Sequence, residues 1–539
     1  MFNLSLYRWQ ALISAVGAAL LSTVTLRPVS AAERITVSYG PFERSIPVKS
    51  LTTYAQTGNI DQELAAYTRK LPPEQVNQLQ QILTTRIPFN VVEVSQFLYT
   101  PTGINLLTRL QKVIQAGTQS ASFSALRAAF ILAAADPQGL TLLNVLEKYP
   151  VAEIEIDLPR ALDIAQNAEA LVQQTNQAVA LIQQQSKQTS TSRRVTPVDL
   201  TQAGQFQSNQ LTFAIQDRDR NRTFPVDLYI PRTTTPRPVI VISHGLGSDR
   251  LTFAYLAQHL ATYGFIVAVP EHPGSNDDQL QALLAGVADQ VTPPSEFIDR
   301  PLDVTVLLNQ LEQLSQTDSR LQGRLNLQQV GVIGQSFGGY TALALAGSPI
   351  NFRQLRLDCP KVDNLFNLSL LLQCRALALP RGQYNLSDRR IKAAIAINPV
   401  SSRILGQAGL SQINIPIMMI AGSADVVTPA LTEQIRPFAW LTTPNKYLAL
   451  IQGGTHFSVL GNSEGSSTIP VPAQAVGASP ELAHQYVEAL STAFFQVHLS
   501  NQSSYDAYLS NDYINRLSRE PLPLYLVRSP TQAISRPLK

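Results

Sequence analysis

The chain has 539 residues, enough for two or three domains, and 45% of them are hydrophobic, which excludes a disordered protein. Lys and Arg exceed Asp and Glu by only three, 41 against 38, too small a surplus for a protein that must neutralise many nucleic-acid phosphates. There is no GxxxxGK[ST], HExxH or CxxC, so no metal or phosphate site of those patterns is expected, and any imidazole base comes from six histidines.

The first element is a leader. Arg8 precedes an uncharged stretch from Trp9 to Leu26, and small residues follow at Ala31 and Ala32. The pattern predicts a signal peptide over 1–32, cleaved near Ala31 or Ala32, and so an exported protein, periplasmic or secreted. The other reading of this stretch is a retained membrane anchor. Residues 33–185 carry apolar positions at helical spacing in LPPEQVNQLQQIL, SASFSALRAAFILAAAD, PQGLTLLNVLEKYP and ALDIAQNAEALVQQTNQAVALIQQQ. TPTGINLLTRLQKVIQAG adds a helix capped at Thr100 or Thr102 and ending at Gly117. The expectation is a mostly helical N-terminal domain, with one short strand in IEIDL. A linker rich in Ser and Thr follows at 186–205.

From 206 to 500 the pattern changes. LTFAIQ and TFPVDLYI flank DRDRNR as a hairpin. Six short apolar runs follow: PVIVISHG, GFIVAVPEH, QVGVIGQS, IKAAIAINP, IPIMMIAGSAD and NKYLALIQG. Helical segments separate most of them, which predicts an α/β fold: a mostly parallel sheet with helices on both faces. Such sheets hold their sites just beyond the C-terminal strand ends. Residues 501–539 are read as a C-terminal extension.

Four strand ends carry chemistry. They give His244-Gly245-Leu246, then Gly334-Gln335-Ser336-Phe337-Gly338, then Asp425, then His456. A serine hydroxyl needs a base to take its proton, and the imidazolium so formed needs a carboxylate. Ser336 is therefore the candidate nucleophile, His456 its base and Asp425 the orienting acid. Gly334 and Gly338 allow the tight turn between strand and helix. The amides of Leu246 and Phe337 are the candidate oxyanion donors. Asn398, after the fourth run, cannot supply a charge. His259, His484 and His498 read as structural, His244 as a shaper of the oxyanion loop, and Glu271 and His272 as lining the same face.

These segments have a family likeness. VISHGLGSDRLTFAYLAQHLATYGFIVAVPEHPGS and GQSFGGY resemble the platelet-activating-factor acetylhydrolase branch of the α/β-hydrolases and the wider dienelactone-hydrolase-like group, over about 210–461. The resemblance implies a serine esterase. Those acetylhydrolases carry the acid after the strand matching IKAAIAIN; here that position is Asn398 and the acid stands one strand on, at Asp425. PIMMIAGSADVVTP and GGTHFS look more like bacterial lipases and polyester hydrolases. The region beginning ITVSYGPFERSIPV resembles an uncharacterised domain found before such hydrolases in cyanobacterial proteins.

Between Ser348 and Arg390 lies an insertion holding the chain's two cysteines, Cys359 and Cys374. In an exported protein they are expected to be bridged; in a cytosolic one they would be buried thiols. The insertion reads either as a lid-like wall for an acyl chain or as a satellite hairpin packed on the core. The whole reading is an exported serine carboxylic ester hydrolase acting on apolar or lipid-like acyl esters through an acyl-enzyme. It needs no cofactor or metal, binds no nucleic acid, and leaves room for peripheral membrane or envelope contact. Two alternatives stay open: a serine peptidase with the same triad, and a catalytically silent envelope binding protein.

Overall fold

The structure, a computed structural model, describes residues 31–529 apart from 40–41, 70–71, 116–118, 189–197, 362–366, 462–470 and 472. The leader up to residue 30 and most of the Ser/Thr-rich stretch lie outside the described residues. The described residues divide into two compact units, one within 31–95 and 110–161 and one within 96–109 and 162–529.

The smaller unit contains the expected helices, among them Pro73–Thr84, with proline in its first turn, and Gln119–Ala134. It also contains a four-stranded sheet that the helical reading did not anticipate. Its strands are β1 (Arg34–Tyr39), β2 (Phe42–Pro47), β3 (Ile114–Gln115) and β4 (Glu153–Asp157), in the order β2-β1-β4-β3. Only β4 was expected, as IEIDL. The helix after Thr100, whose hydroxyl caps the Gly103 amide, stops at Leu110 because the chain then turns into β3.

The larger unit is built on a nine-stranded sheet. Helix α1 (Leu158–Gln188) precedes the hairpin of β5 (Ser208–Asp217) and β6 (Arg222–Pro231). Then come β7 (Arg237–Ser243), α2 (Ala254–Thr262), β8 (Ile266–Pro270), α3 (Glu296–Thr317), β9 (Leu325–Gln335), α4 (Phe337–Leu345) and α5 (Phe352–Asp358). The chain closes with β10 (Ile391–Ile397), β11 (Ile417–Gly422), β12 (Lys446–Ile451), α6 (Pro480–His498) and β13 (Leu524–Val527). All six apolar runs are strands. The order is β13-β12-β11-β10-β9-β7-β8-β6-β5, parallel from β8 to β12 and antiparallel at both edges. This is the α/β-hydrolase fold.

Successive strand residues point to opposite faces, and on β7 both faces are apolar. Val239 and Val241 join a core that includes Val304 and Leu307 of α3 and Tyr340 of α4. Ile240 and Ile242 join one that includes Leu256 of α2 and Leu490 of α6. The strand order reverses about β7, so the crevice between the ends of β7 and β9 is where such a sheet takes a ligand.

Three boundaries differ from the sequence reading. Ala178, Val179 and Ile182 of α1 are buried in the core of the larger unit, so its main stretch begins at Leu162 rather than after Gln185, and residues 96–109 belong to it as well. Residues 198–206 pack on the sheet domain instead of linking it: Leu200 is fully buried and the Phe206 amide donates to the Thr262 carbonyl at 2.9 Å. Residues 501–529 are no appendage, because β13 pairs with β12 and buries Leu524 and Leu526 against the sheet edge, while 530–539 lie outside the described residues.

Candidate active site

Ser336 follows the last residue of β9 and caps α4, with φ +56° and ψ −115°. An L-residue holds a positive φ only under constraint, and here the constraint is the turn. The turn is tight because two glycines permit it. A Cβ on Gly334 would lie 1.9 Å from the Gly338 carbonyl oxygen, and one on Gly338 would lie 2.0 Å from that of Ser243. The Ser336 amide donates to the Ile397 carbonyl at 2.9 Å, tying the turn to β10.

The structure brings Ser336, His456 and Asp425 together, each buried. His456 Nδ1 lies 2.7 Å from Asp425 Oδ2 and Nε2 lies 3.0 Å from Ser336 Oγ. A carboxylate accepts, so Nδ1 carries the proton and Nε2 is free to receive one from the serine. Asp425 is itself held. The amides of Val427 and Thr428 donate to Oδ1 at 2.8 and 2.7 Å, and the Thr428 hydroxyl lies 2.7 Å from Oδ2. Asn398 stands at the neighbouring strand end. Its Oδ1 accepts the Gly422 amide at 2.9 Å and its Nδ2 donates to the Thr455 carbonyl at 3.3 Å, so it clamps the two loops that carry the acid and the base.

The third loop runs His244-Gly245-Leu246. Gly245 faces Gln335, whose side-chain oxygen would sit 2.4 Å from an added Cβ, with Ser336 Cβ at 3.6 Å. Among the described residues, the amides of Leu246 and Phe337 have no hydrogen-bond acceptor in the protein. The peptide joining Gly245 to Leu246 is fixed from its other end. His244 Nδ1 donates to the Gly245 carbonyl at 2.8 Å, while His244 Nε2 accepts the His272 amide at 3.0 Å. A peptide is planar and trans, so fixing its C=O fixes the opposite direction of its N–H.

Beneath this loop lies a buried charged network that the sequence reading missed. Arg300 is fully buried and donates to the His244 carbonyl, to Ser275 Oγ at 2.9 Å and to Ser243 Oγ at 3.3 Å. His272 lies 3.0 Å from both Ser243 Oγ and Asp303 Oδ2. Asp303 also accepts from Arg220 and Arg222, each at 2.9 Å, and Arg222 pairs with Glu296 at 2.8 Å. Burial, reinforced by the charge of Arg300, holds the imidazoles of His244 and His272 well below their usual range, so both rings are neutral. Burial likewise pulls the Arg300 guanidinium down to about 10 and pushes the Asp303 carboxyl up to about 7, against the pull of Arg222.

His272 and Glu271, expected on the open face, are instead buried in support of it. Glu271 accepts the Arg250 amide at 3.0 Å. His244 shapes the loop, as its place in the sequence suggested. His259 packs against Tyr263, His484 stacks on Tyr255, and His498 lies 3.2 Å from the Tyr447 hydroxyl. Cys359 and Cys374 form a disulfide. The insertion they close is anchored from within: Asn367 and Gln373 donate to the buried Glu433 carboxylate, and the Ser369 amide donates to the Val427 carbonyl at 3.0 Å. Thr428 and the network of Arg220, Arg222, Glu296, Arg300 and Asp303 are what the sequence reading passed over. Its one visible trace is Glu296, Arg300 and Asp303 at spacings of four and three on a helix whose buried face is otherwise apolar.

Two family models match the chain. Residues 31–157 match an alpha/beta hydrolase family of unknown function (DUF1400), and residues 220–280 match platelet-activating factor acetylhydrolase, isoform II. The first spans most of the smaller unit together with residues 96–109 and includes none of Ser336, Asp425 and His456. The second covers β6 to β8 with the His244–Leu246 loop. Together with the fold they match the α/β-hydrolases and their acetylhydrolase-like branch and support an esterase-type hydrolase.

Proposed function

We propose that this chain is an exported serine ester hydrolase acting on apolar or lipid-like acyl esters. The observation that carries the reading is the unbroken line from Asp425 through His456 to Ser336, beside which, among the described residues, the amides of Leu246 and Phe337 have no acceptor. Ser336 Oγ attacks the ester carbonyl carbon as its proton passes to His456 Nε2. The carbonyl oxygen becomes negative and is met by the two amides. The intermediate collapses, His456 returns the proton to the departing alkoxide, and an acyl-Ser336 ester remains. Water then repeats the sequence, releasing the acid and restoring the serine.

An apolar substrate is favoured by the surroundings. Val426, next to Asp425, is 69% exposed, and Leu368, next to the Ser369 amide that binds the Val427 carbonyl, is 44% exposed. The disulfide suits an oxidising compartment and so supports export. With its anchors on Glu433, the insertion acts as a fixed wall beside the acid loop. Among the described residues no helix is long and apolar enough to cross a membrane.

The test is hydrolysis of p-nitrophenyl esters from acetyl to palmitoyl by wild type and Ser336→Ala, with fluorophosphonate labelling of both. Turnover and labelling that the alanine abolishes are expected. Equal turnover in the variant refutes the serine mechanism. Labelling without ester turnover points to peptide substrates, and no labelling at all to a binding protein.

A further inference from the structure

We infer that the outer face of the insertion is a docking surface for an anionic lipid bilayer. The segment 348–390 holds seven Lys and Arg against three Asp. This surplus of four exceeds the surplus of three carried by the whole chain, so the rest of the chain is net negative by one. Two of the three acids are spent: Asp358 pairs with Arg403 at 3.1 Å and Asp388 with Arg390.

Arg353, Arg356 and Arg381 are exposed, and among the described residues none of them meets a carboxylate. All three line one cleft of about 1130 Å³, together with Leu377. Arg353, Arg356 and Leu357 fall at i, i+3 and i+4 of α5 and so share one helix face. Leu357 is 52% exposed and Leu377 36%. The disulfide joins Cys359, directly after α5, to Cys374, which opens the turn leading to Leu377, and so holds the two halves of this face together.

A soluble anion accounts for the arginines but gives the leucines nothing to enter. An anionic bilayer accounts for both: headgroups attract the guanidinium groups, and the leucines sink into the boundary beneath them. The inference is independent of the chemistry at Ser336, because it is read by binding and not by turnover.

The experiment is co-sedimentation of the full chain with vesicles of phosphatidylglycerol and phosphatidylcholine, and with phosphatidylcholine alone. Binding to the anionic vesicles alone, weakening as salt rises, is expected. Each arginine near such a surface contributes about fivefold in affinity, so R353Q/R356Q/R381Q should bind about a hundredfold more weakly. R353K/R356K/R381K keeps the charge and should bind within a few-fold of wild type. L357S/L377S should weaken binding while leaving its salt dependence. Melting temperatures of the variants report their folding. Absence of wild-type binding, or equal binding by wild type and the glutamine variant, overturns the inference. So does displacement by inorganic phosphate at matched ionic strength, which would mark a small-anion pocket instead.

Discussion

Replacing His244 separates aim from packing at the candidate oxyanion loop. The ring does not reach the reacting atoms; it holds the Gly245 carbonyl through a 2.8 Å bond and thereby directs the Leu246 N–H. His244→Ala removes that bond and leaves the His272 amide without its acceptor. One well-placed oxyanion donor contributes about 3 kcal/mol to the transition state. A donor that is misdirected rather than deleted should lose about half to nearly all of this, a fall in kcat of about tenfold to a hundredfold. KM should stay within about threefold, because the donor meets charge that exists only in the transition state. Leaving a buried amide unsatisfied should also lower stability by about 1–3 kcal/mol. The discriminating comparison is His244→Asn, whose side-chain nitrogen stands close to the place of Nδ1 and can still donate to Gly245. Steady-state kinetics on p-nitrophenyl butyrate should show the asparagine variant recovering most of kcat, while thermal melting shows both variants weakened. If alanine lowers only the melting temperature and leaves kcat intact, the positioning argument is wrong.

Thr428→Val keeps the shape and removes the hydroxyl 2.7 Å from Asp425 Oδ2; about a tenfold loss in kcat at constant KM is expected, and an unchanged kcat would show that the two amides alone suffice to hold the acid. Cys359→Ser with Cys374→Ser opens a loop of 15 residues, worth about 3 kcal/mol of local stability. Proteolysis within the insertion should speed up, and protection equal to wild type would refute this. His498 is pushed down to about 4, by burial first and then by Arg528, from an ordinary 6.5. The unfolded chain then takes the proton more readily, so the ring has no effect above pH 6.5 and destabilises the fold increasingly as pH falls toward 4. Wild type should lose about 1 kcal/mol relative to His498→Gln between pH 7 and pH 5.5, after allowance for the partly exposed ring. Urea unfolding at the two pH values measures it, and parallel behaviour of the two proteins would contradict the assignment.

The six central strands were legible because a parallel strand buried on both faces reads as an uninterrupted apolar run. The grouping of Ser336, His456 and Asp425 was legible because each of them sits at a strand end with its own turn residues. The strands β1 to β3 were not, since they are short and half polar: Thr36 and Ser38 alternate with Ile35 and Val37. Strand β13 was missed because its reason to be a strand is the open edge of β12, more than 70 residues earlier. The charged network was hidden for a different reason. Arg220 and Arg222 sit in DRDRNR, which reads as a solvated turn, and only the folded chain carries them to Asp303 on α3. Local pattern tells which residues are apolar enough to be inside; it does not tell which charges are brought inside to meet each other.

Glu433 occupies a single π-helical turn, Leu431–Ile435, and is fully buried. Its carboxylate receives the amides of Ser401 and Ser402 at 2.9 and 2.8 Å from the loop after β10, and Asn367 and Gln373 from the insertion. Gln373 passes the connection on, accepting the amides of Arg403 and Ile404 at 2.7 and 2.9 Å. Three stretches far apart in sequence thus share one joint. Losing any one arm leaves buried polar groups without partners in the other two, so the joint opens as a whole or stays shut. Its amides should therefore exchange their hydrogens with water as one cooperative unit, at a common rate set by the single opening of the joint.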